Sequence, residues 1–443
     1  MTWTPLHRGL GDISSELTYS HIQQAVEQKV EESAELDWKS TLPLTPGKGV
    51  SPDRKEKERY ELAKDIAAMA NSGGGMIVYG VGETTVGTRT AAGSITSGLQ
   101  IPADYRKSIL QAAFSTIHPP VVGLDLMVLT PDDDSENPVL AMMVNQSNDA
   151  PHLVVQKGDG GFFQAPWRNG PETFFMTERD LATAYRRREQ DRRAQLQEMD
   201  DLHDRFLEAV GTDQRPSIWT VAIALPMSPP SYTRHLTQEL AEQIYVQASR
   251  APWNDHSMTG LKEALQGSTT RRGLRHYFWT SQRVSKERAI RARVEVHQDG
   301  SLVVGFTRDG LLHPQDIKPD HAAIDDIEKT GLDLVALILT QQAARGHLGD
   351  YDVTINVAPR ATIFRKPDTQ LHGLYTTFSN NDVFPVFRPV KGTVVTTLGR
   401  PELLSSAIDI INDAMNQVNS EARWTSEMLN NRIASMRSEY FSV

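Results

Sequence analysis

The chain has no cysteine among its 443 residues. That excludes disulfides, a thiolate nucleophile and any cysteine-ligated zinc or iron–sulfur site. No apolar run approaches the roughly 18 residues needed to cross a bilayer, and the opening Met1-Thr-Trp-Thr-Pro-Leu-His-Arg8 lacks the apolar core of a signal peptide. A soluble protein with no membrane partner and a cytoplasmic location is the expectation. A cationic excess is also missing. At a net charge of −10, any attraction to nucleic acid requires a local basic face. There is no Gly-x-Ser-x-Gly, no His-Glu-x-x-His and no dinucleotide fingerprint, so hydrolase, zinc-protease and oxidoreductase readings have no motif to stand on. Pro46-Gly47-Lys48-Gly49 is not a phosphate loop: Leu42 stands where its first glycine belongs, and Gly49 where it needs Ser or Thr.

Apolar residues at 39% and charged residues at 23% are ordinary globular proportions, and the length favours two or three domains. No internal repeat or low-complexity tract appears. Residues 1–19 read as a leader with weak periodicity. A helix capped by Thr18 or Ser20 follows, with Ile22, Ala25 and Val30 on one face. Glu35–Ser40 alternates as a short strand, Leu36 and Trp38 facing one way and Glu35, Asp37 and Lys39 the other. Pro43, Pro46, Gly47, Gly49 and Pro52 mark a loop. The stripe Tyr60, Ala63, Ile66, Ala67, Ala70 predicts a helix over Lys55–Asn71, and Met76–Val81 a buried strand. Further expectations are a helix over Tyr105–Ile117, paired strands Val121–Leu129 and Val139–Val144 around an acidic turn, a strand Phe162–Trp167, and a helix from Glu178 through Val210. A boundary near 195 separates a first domain, 20–195, from a second, 196–443. In the second, Trp219–Leu225 and Tyr351–Val357 read as strands, and Thr237–Ala248 and most of Leu403–Asn431 as helix. Gln298-Asp-Gly300 marks a hairpin, and Ile324–Ala344 reads as an amphipathic helix. The whole is α+β.

The chemistry concentrates in Glu32-Ser-Ala-Glu-Leu-Asp37-Trp-Lys39 and, past Asn71-Ser-Gly73-Gly74-Gly75, in Glu83. Alternation puts Asp37 and Lys39 on one strand face, roughly 6–7 Å apart along the chain. An acid, a spacer and a lysine on a strand is a half-motif of metal-dependent nucleases: the carboxylate holds a divalent cation and the ammonium stabilises charge at the phosphate. Convergent carboxylates suit Mg²⁺ or Mn²⁺. The same residues on an exposed edge strand would simply be solvated. The glycine turn offers backbone amides to a phosphate, or it is a helix C-cap leading into a buried strand; the glycines follow a helix, which favours the cap.

Taken together, Glu-Ser-x-x-Leu-acid-aromatic-Lys, a helix ending Ala-x-Ala-Asn-Ser-x-Gly-Gly and an apolar strand ending Gly-Val resemble the Schlafen AlbA-like family, whose members bind nucleic acid and in some cases cleave RNA. Ser147-Asn-Asp-Ala-Pro151-His152 and Phe162-Phe-Gln-Ala-Pro-Trp-Arg168-Asn-Gly-Pro-Glu-Thr continue the likeness in order, over about residues 20–190. It implies a three-acid cleavage site matched here by Glu32, Asp37 and Glu83, with Mg²⁺ or Mn²⁺ as cofactor. Asp37 replaces the family's commoner glutamate, and Gly82-Glu83 its Asp-Asp pair. The implied function is a metal-dependent endoribonuclease acting on structured RNA such as tRNA; the alternative is a non-catalytic DNA- or RNA-binding regulator. RNA is the expected partner ahead of DNA, and the family's paired lobes imply a homodimer.

Arg168 either grips a phosphate bidentately or pairs with one of the acids. His152 is a minor candidate. The loop cations Lys48, Arg54, Lys55, Lys57 and Arg59 alternate with acids and read as a solvated helix start, and glutamate and aspartate likewise dilute Arg186–Arg188. The strongest basic run is Arg271, Arg272, Arg275, Arg283, Lys286, Arg288, Arg291 and Arg293, with His276-Tyr-Phe-Trp279 inside it. Cations interleaved with aromatics suit single-stranded nucleic acid, so Arg271, Arg272 and Arg275 join Lys39 and Arg168 as candidate nucleic-acid contacts. A buried aromatic strand between charged turns would produce the same pattern.

Overall fold

A computed structural model describes residues 4–12, 17–44, 51–102, 104–131, 137–156, 162–211, 217–227, 236–253, 259–265, 269–281, 289–309, 321–345, 349–359, 361, 363–367, 378–383, 387–396 and 399–435. Lys48 and its loop, most of the acidic turn, and Arg283, Lys286 and Arg288 lie outside these residues. Two units divide the chain: Met1–Arg193 with Ser228–His235, and Ala194–Met227 with Leu236–Val443. No helix of the described residues is long and apolar enough to cross a membrane.

The first unit begins with two short helices, α1 (Pro5–Leu10) and α2 (Tyr19–Gln28). Strand β1 (Leu36–Lys39) then leads through helix α3 (Pro52–Asn71) into β2 (Gly74–Tyr79). Ser51 caps α3 by accepting the Arg54 N–H, and Pro52 stands in the first turn where its missing donor costs nothing. Then come β3 (Val81–Val86), β4 (Arg89–Ile95), α4 (Tyr105–Thr116), β5 (Ile117–His118), β6 (Asp125–Leu129), β7 (Val139–Asn145), β8 (Leu153–Gln156), β9 (Phe162–Gln164), β10 (Pro166–Asn169), β11 (Glu172–Phe175) and α5 (Glu178–Gly211), which runs past the unit boundary. The main sheet has the order β1-β2-β7-β6. β1 and β2 pair in parallel, as a strand–helix–strand crossover permits, with Asp37 opposite Ile77 and Lys39 opposite Tyr79. The other pairs are antiparallel.

Both faces of this sheet are covered. Leu36, Trp38, Met76, Val78 and Met143 pack with Leu6 and Ile22 on one side. Ile77, Tyr79, Met142 and Val144 pack with Leu62, Ile66 and Ile109 on the other, beneath α3 and α4. Trp38 is wholly buried and donates its indole N–H to the Val30 carbonyl at 3.1 Å; a Trp→Ala truncation in such a place costs about 3–5 kcal/mol. The glycine turn is structural at two positions. A Cβ on Gly74, already at φ +89°, would come within 2.7 Å of Val144 O, and one on Gly75 within 2.8 Å of Glu35 O.

The second unit is built on a seven-stranded antiparallel sheet. Its elements in chain order are β12 (Trp219–Pro226), α6 (Gln238–Ser249), α7 (Gly260–Leu265), β13 (Arg271–Gly273), β14 (His276–Thr280), β15 (Ala289–His297), β16 (Leu302–Asp309), β17 (His321–Ala323), α8 (Ile324–Arg345), β18 (Tyr351–Ala358), β19 (Ile363–Pro367), β20 (Phe378–Val383), β21 (Val390–Val394), α9 (Arg400–Asn416) and α10 (Ser426–Ala434). The strand order is β13-β14-β15-β16-β12-β18-β21. β15 and β16 form the hairpin expected at Gln298–Gly300. Met199, Leu202 and Phe206 of α5 pack on Trp219, Val221 and Ile223. Helix α8 is not amphipathic: apolar and polar positions alike, Asp333 and Gln341 among them, are buried. It is the central helix of the unit, packed by α6, α9 and the sheet.

Candidate functional site

The parallel register explains where the acids go. Asp37 shares its sheet face with Ile77, and that is the face beneath α3. A carboxylate placed there cannot be solvated, and Asp37 is only 4% exposed. A buried charge requires partners, and two cations supply them. Arg168 of β10 aims both terminal nitrogens at Asp37 Oδ1, each at 3.2 Å. Lys39 Nζ lies 2.6 Å from Oδ2. The same guanidinium donates to the Ser33 and Pro171 carbonyls at 3.2 and 2.9 Å. Of the two readings of Arg168, phosphate grip or acid partner, the structure shows the second: its side chain is 2% exposed and cannot reach a phosphate. The solvated reading of Asp37 likewise gives way to a buried ion pair.

Glu32 precedes β1 and spends Oε1 on the Trp38 backbone N–H at 2.9 Å. Burial raises its carboxyl above the ordinary range, and the neighbouring Asp37 and Glu83 add to the rise. Glu83 sits exposed on β3 at a register shift opposite β4. Burial alone would lower the Lys39 ammonium, but Asp37, Asp65 and Glu32 outweigh it and hold it raised. Glu32 therefore lies in electrostatic reach of Asp37, Lys39 and Glu83, and Lys39 in reach of Asp37 and Glu32.

One residue of this centre escaped the sequence reading. Asp65 of α3 has a side chain only 16% exposed; burial first, and then Asp37, push its carboxyl up to about 6. The available signal was its place on the stripe Leu62, Asp65, Met69, whose i, i+3, i+7 spacing puts an acid among buried residues. Asn71 was also undervalued. Its amide donates to the His152 and Pro166 carbonyls at 3.0 and 2.7 Å and accepts the His152 N–H at 2.7 Å. Beside it, Ser72 Oγ accepts the Arg168 N–H at 2.7 Å. These bonds fasten the end of α3 to β10 and so fix where Arg168 points. His152 is wholly buried, with Nδ1 2.7 Å from the Pro119 carbonyl oxygen; burial lowers its pKa and keeps it neutral. It is a structural histidine.

The donor set as placed does not fit Mg²⁺ or Mn²⁺. Asp37 spends both oxygens on cations of the protein and Glu32 spends one on the backbone. Among the described residues no three His, Asp or Glu side chains are grouped to hold a metal ion. The electrostatic reach of Glu32 to Asp37 and to Glu83 is therefore not coordination.

The basic run belongs to the second unit and divides by alternation. Tyr277 and Trp279 enter the core, Trp279 stacking on Tyr245 at 4.2 Å. His276 and Phe278 take the other face, where the Arg293 guanidinium lies 4.2 Å from the Phe278 ring centroid. Arg293 also pairs with Glu295 at 2.5 Å, and Arg291 is 7% exposed. The cations left at the surface are Arg271, Arg272 and Arg275. Half of the aromatic segment is thus core, and two of the five described cations, Arg291 and Arg293, are internal.

Residues 32–175 match the family model described as Schlafen, AlbA_2. No curated protein matches the chain. The matched stretch opens at Glu32, contains Asp37, Asp65, Glu83 and Arg168, and closes with β11. The chain carries a Schlafen AlbA_2 domain over about a third of its length, and that domain points to nucleic-acid binding.

Proposed function

We propose that residues 32–175 act as a non-catalytic nucleic-acid-binding module that prefers RNA to DNA. One observation carries this reading: the buried fork of Arg168 on Asp37. The acid that a nuclease would use to hold a cation is already neutralised by the protein, so the acidic centre is framework. It sets the positions of β1, α3 and β10 and leaves recognition to side chains around it. Lys39, with a third of its side chain exposed, is the cation of the centre that reaches the surface. Arg271, Arg272 and Arg275 supply a second contact in the other unit, supported by their exposure beside half-buried His276 and Phe278. A cytoplasmic location, in keeping with the absence of cysteine, and a homodimer clasping one nucleic acid belong to the same proposal; light scattering on the purified chain tests the dimer.

A second reading, a divalent-metal-dependent endoribonuclease on structured RNA such as tRNA, has one observation in its favour. Asp37 and Glu83 raise Glu32, and Asp37 raises Asp65, and crowded carboxylates are what a cation relieves. It requires Asp37 to leave Arg168. The two readings separate when total tRNA and single- and double-stranded DNA are incubated with the protein in Mg²⁺, Mn²⁺ or EDTA and run on a denaturing gel. Intact RNA in every lane, with a shifted band on a native gel, supports the binder. Fragments that appear with Mn²⁺ or Mg²⁺ and vanish in Glu83→Gln establish the nuclease.

A further inference from the structure

Alternation along β10 sends Trp167 and Arg168 to opposite sides. Arg168 goes to Asp37. Trp167 lines a separate open cleft of ≈ 600 Å³, inside the range of about 300–1,000 Å³ typical of small-ligand sites. Trp167 and Met176 give the cleft an apolar part. The first turns of α5 add Arg179, Arg187 and Arg188, and the Asn71–Gly73 turn closes it. At Gly73 a Cβ would meet nothing within 4 Å, so this backbone is open to a ligand.

The charges here are arranged differently from those around Asp37. Arg188 pairs with Asp149 at 3.1 Å and Arg187 lies 3.8 Å from Asp191, both with substantial exposure. Asp180, which also lines the cleft, is taken by Thr177, accepting its N–H at 2.9 Å and its hydroxyl at 2.7 Å. The Arg179 guanidinium has no hydrogen-bond or ion-pair partner among the described residues. Its charge is felt by the neighbouring Asp180, but its donors are unspent and can meet an anion in the cleft that Trp167 lines. Gln146 and Asn148, also in the lining, add amides that both donate and accept.

We propose that this cleft binds one nucleotide unit, with its base against Trp167 and its phosphate on Arg179 and Arg187. The inference rests on the nucleic-acid reading above and gives one unit of the strand a place away from the acidic centre. A planar aromatic wall suits a base of any sequence, and the arginine fork suits phosphate oxygens. The unit is either a free nucleoside monophosphate or the 5′ end of a strand; both present the same phosphate and base.

Calorimetry on the full chain in EDTA tests this with AMP, CMP and a 5′-phosphorylated RNA tetranucleotide, on wild type, Arg179→Ala, Arg179→Glu and Trp167→Phe. The expected result is binding that weakens roughly tenfold in Arg179→Ala and further in Arg179→Glu, with the melting temperature little changed because Arg179 is exposed. Trp167→Phe keeps an aromatic face and retains most of the affinity. A tetranucleotide that binds more tightly than AMP assigns the cleft to a strand end; equal affinities assign it to the free nucleotide. RNA binding that both Arg179 variants leave unchanged, and that AMP does not displace, overturns the inference and leaves the nucleic-acid reading standing. AMP binding lost in Arg179→Glu without any RNA binding overturns that reading and keeps the cleft. No binding of either ligand overturns both.

Discussion

Arg168 on β10 and Arg179 in the first turn of α5 belong to consecutive stretches of one domain, and their surroundings give them opposite roles. Arg168 is 2% exposed and spends its two terminal nitrogens inside the protein, on Asp37 and on two backbone carbonyls, while its buried Nε has no hydrogen-bond partner. Arg179 is exposed, and its guanidinium has no hydrogen-bond or ion-pair partner among the described residues, only the longer-range field of Asp180. Taking an ion pair out of water is costly, and it is repaid only when further hydrogen bonds support the pair, as the two carbonyls do here. Once repaid, the pair cannot be lent to a ligand. An exposed arginine gains little from surface pairing and remains available to a phosphate. Within one domain, burial and not residue type separates the charges that build the site from those that meet a ligand.

The largest effect should come from breaking the buried side. Arg168→Ala strips Asp37 Oδ1 of both its donors and leaves the buried carboxylate to partly exposed Lys39 alone; it should cost about 3 kcal/mol, seen as a lower midpoint in urea unfolding. A loss under 1 kcal/mol would mean that Asp37 is far better hydrated than 4% exposure allows. Asp37→Asn strands Arg168 in the same way, so loss of activity in that variant would not by itself identify a catalytic acid.

A second effect depends on pH. Asp65 is raised from 3.8 to about 6, so between those values the folded state binds the proton more strongly than the unfolded chain does. Its carboxylate then costs stability above pH 6, and the cost is removed as the pH falls toward 4. Asp65→Asn should stabilise the protein by about 2–3 kcal/mol at pH 7.5 and by almost nothing at pH 4. Melts at the two pH values read this directly, and an equal shift at both would remove Asp65 from the electrostatic centre.

The smallest effects are expected at the surface. Glu83→Gln should change stability by no more than about 0.5 kcal/mol. It should leave RNA binding in EDTA unchanged, because the Glu83 side chain is exposed on β3 and holds no other element in place. Destabilisation comparable to that of Arg168→Ala would place Glu83 in the framework after all.

Local patterns were the legible part of the fold. The strand–helix–glycine–strand run from Leu36 to Tyr79, the hairpin of β6 and β7 and the long α5 follow from periodicity and glycine chemistry. The β3–β4 hairpin was missed because Thr84, Thr85, Thr90 and Gly93 leave too few apolar residues to show alternation. Phe162–Trp167 reads as one strand but is two: it breaks at Ala165, β9 pairing with β8 and β10 with β11. Helix α8 reads as amphipathic because its polar residues look solvated; only the surrounding sheet and helices show them to be internal. In the site, Asp37 and Lys39 were visible as a pair on one strand. The partner that decides their role was not, since Arg168 lies 131 residues away in sequence. Asp65 was hidden by the opposite problem, a local helical context too ordinary to mark it.

The most direct test of the account is RNA binding in EDTA by the full chain across a salt series, for wild type and Glu83→Gln. The account predicts binding without added metal, a linear fall of log K with log salt, and the same curve for both proteins. Binding that appears only with Mg²⁺ or Mn²⁺ and collapses in Glu83→Gln would contradict it, and would return the acids from framework to metal ligands.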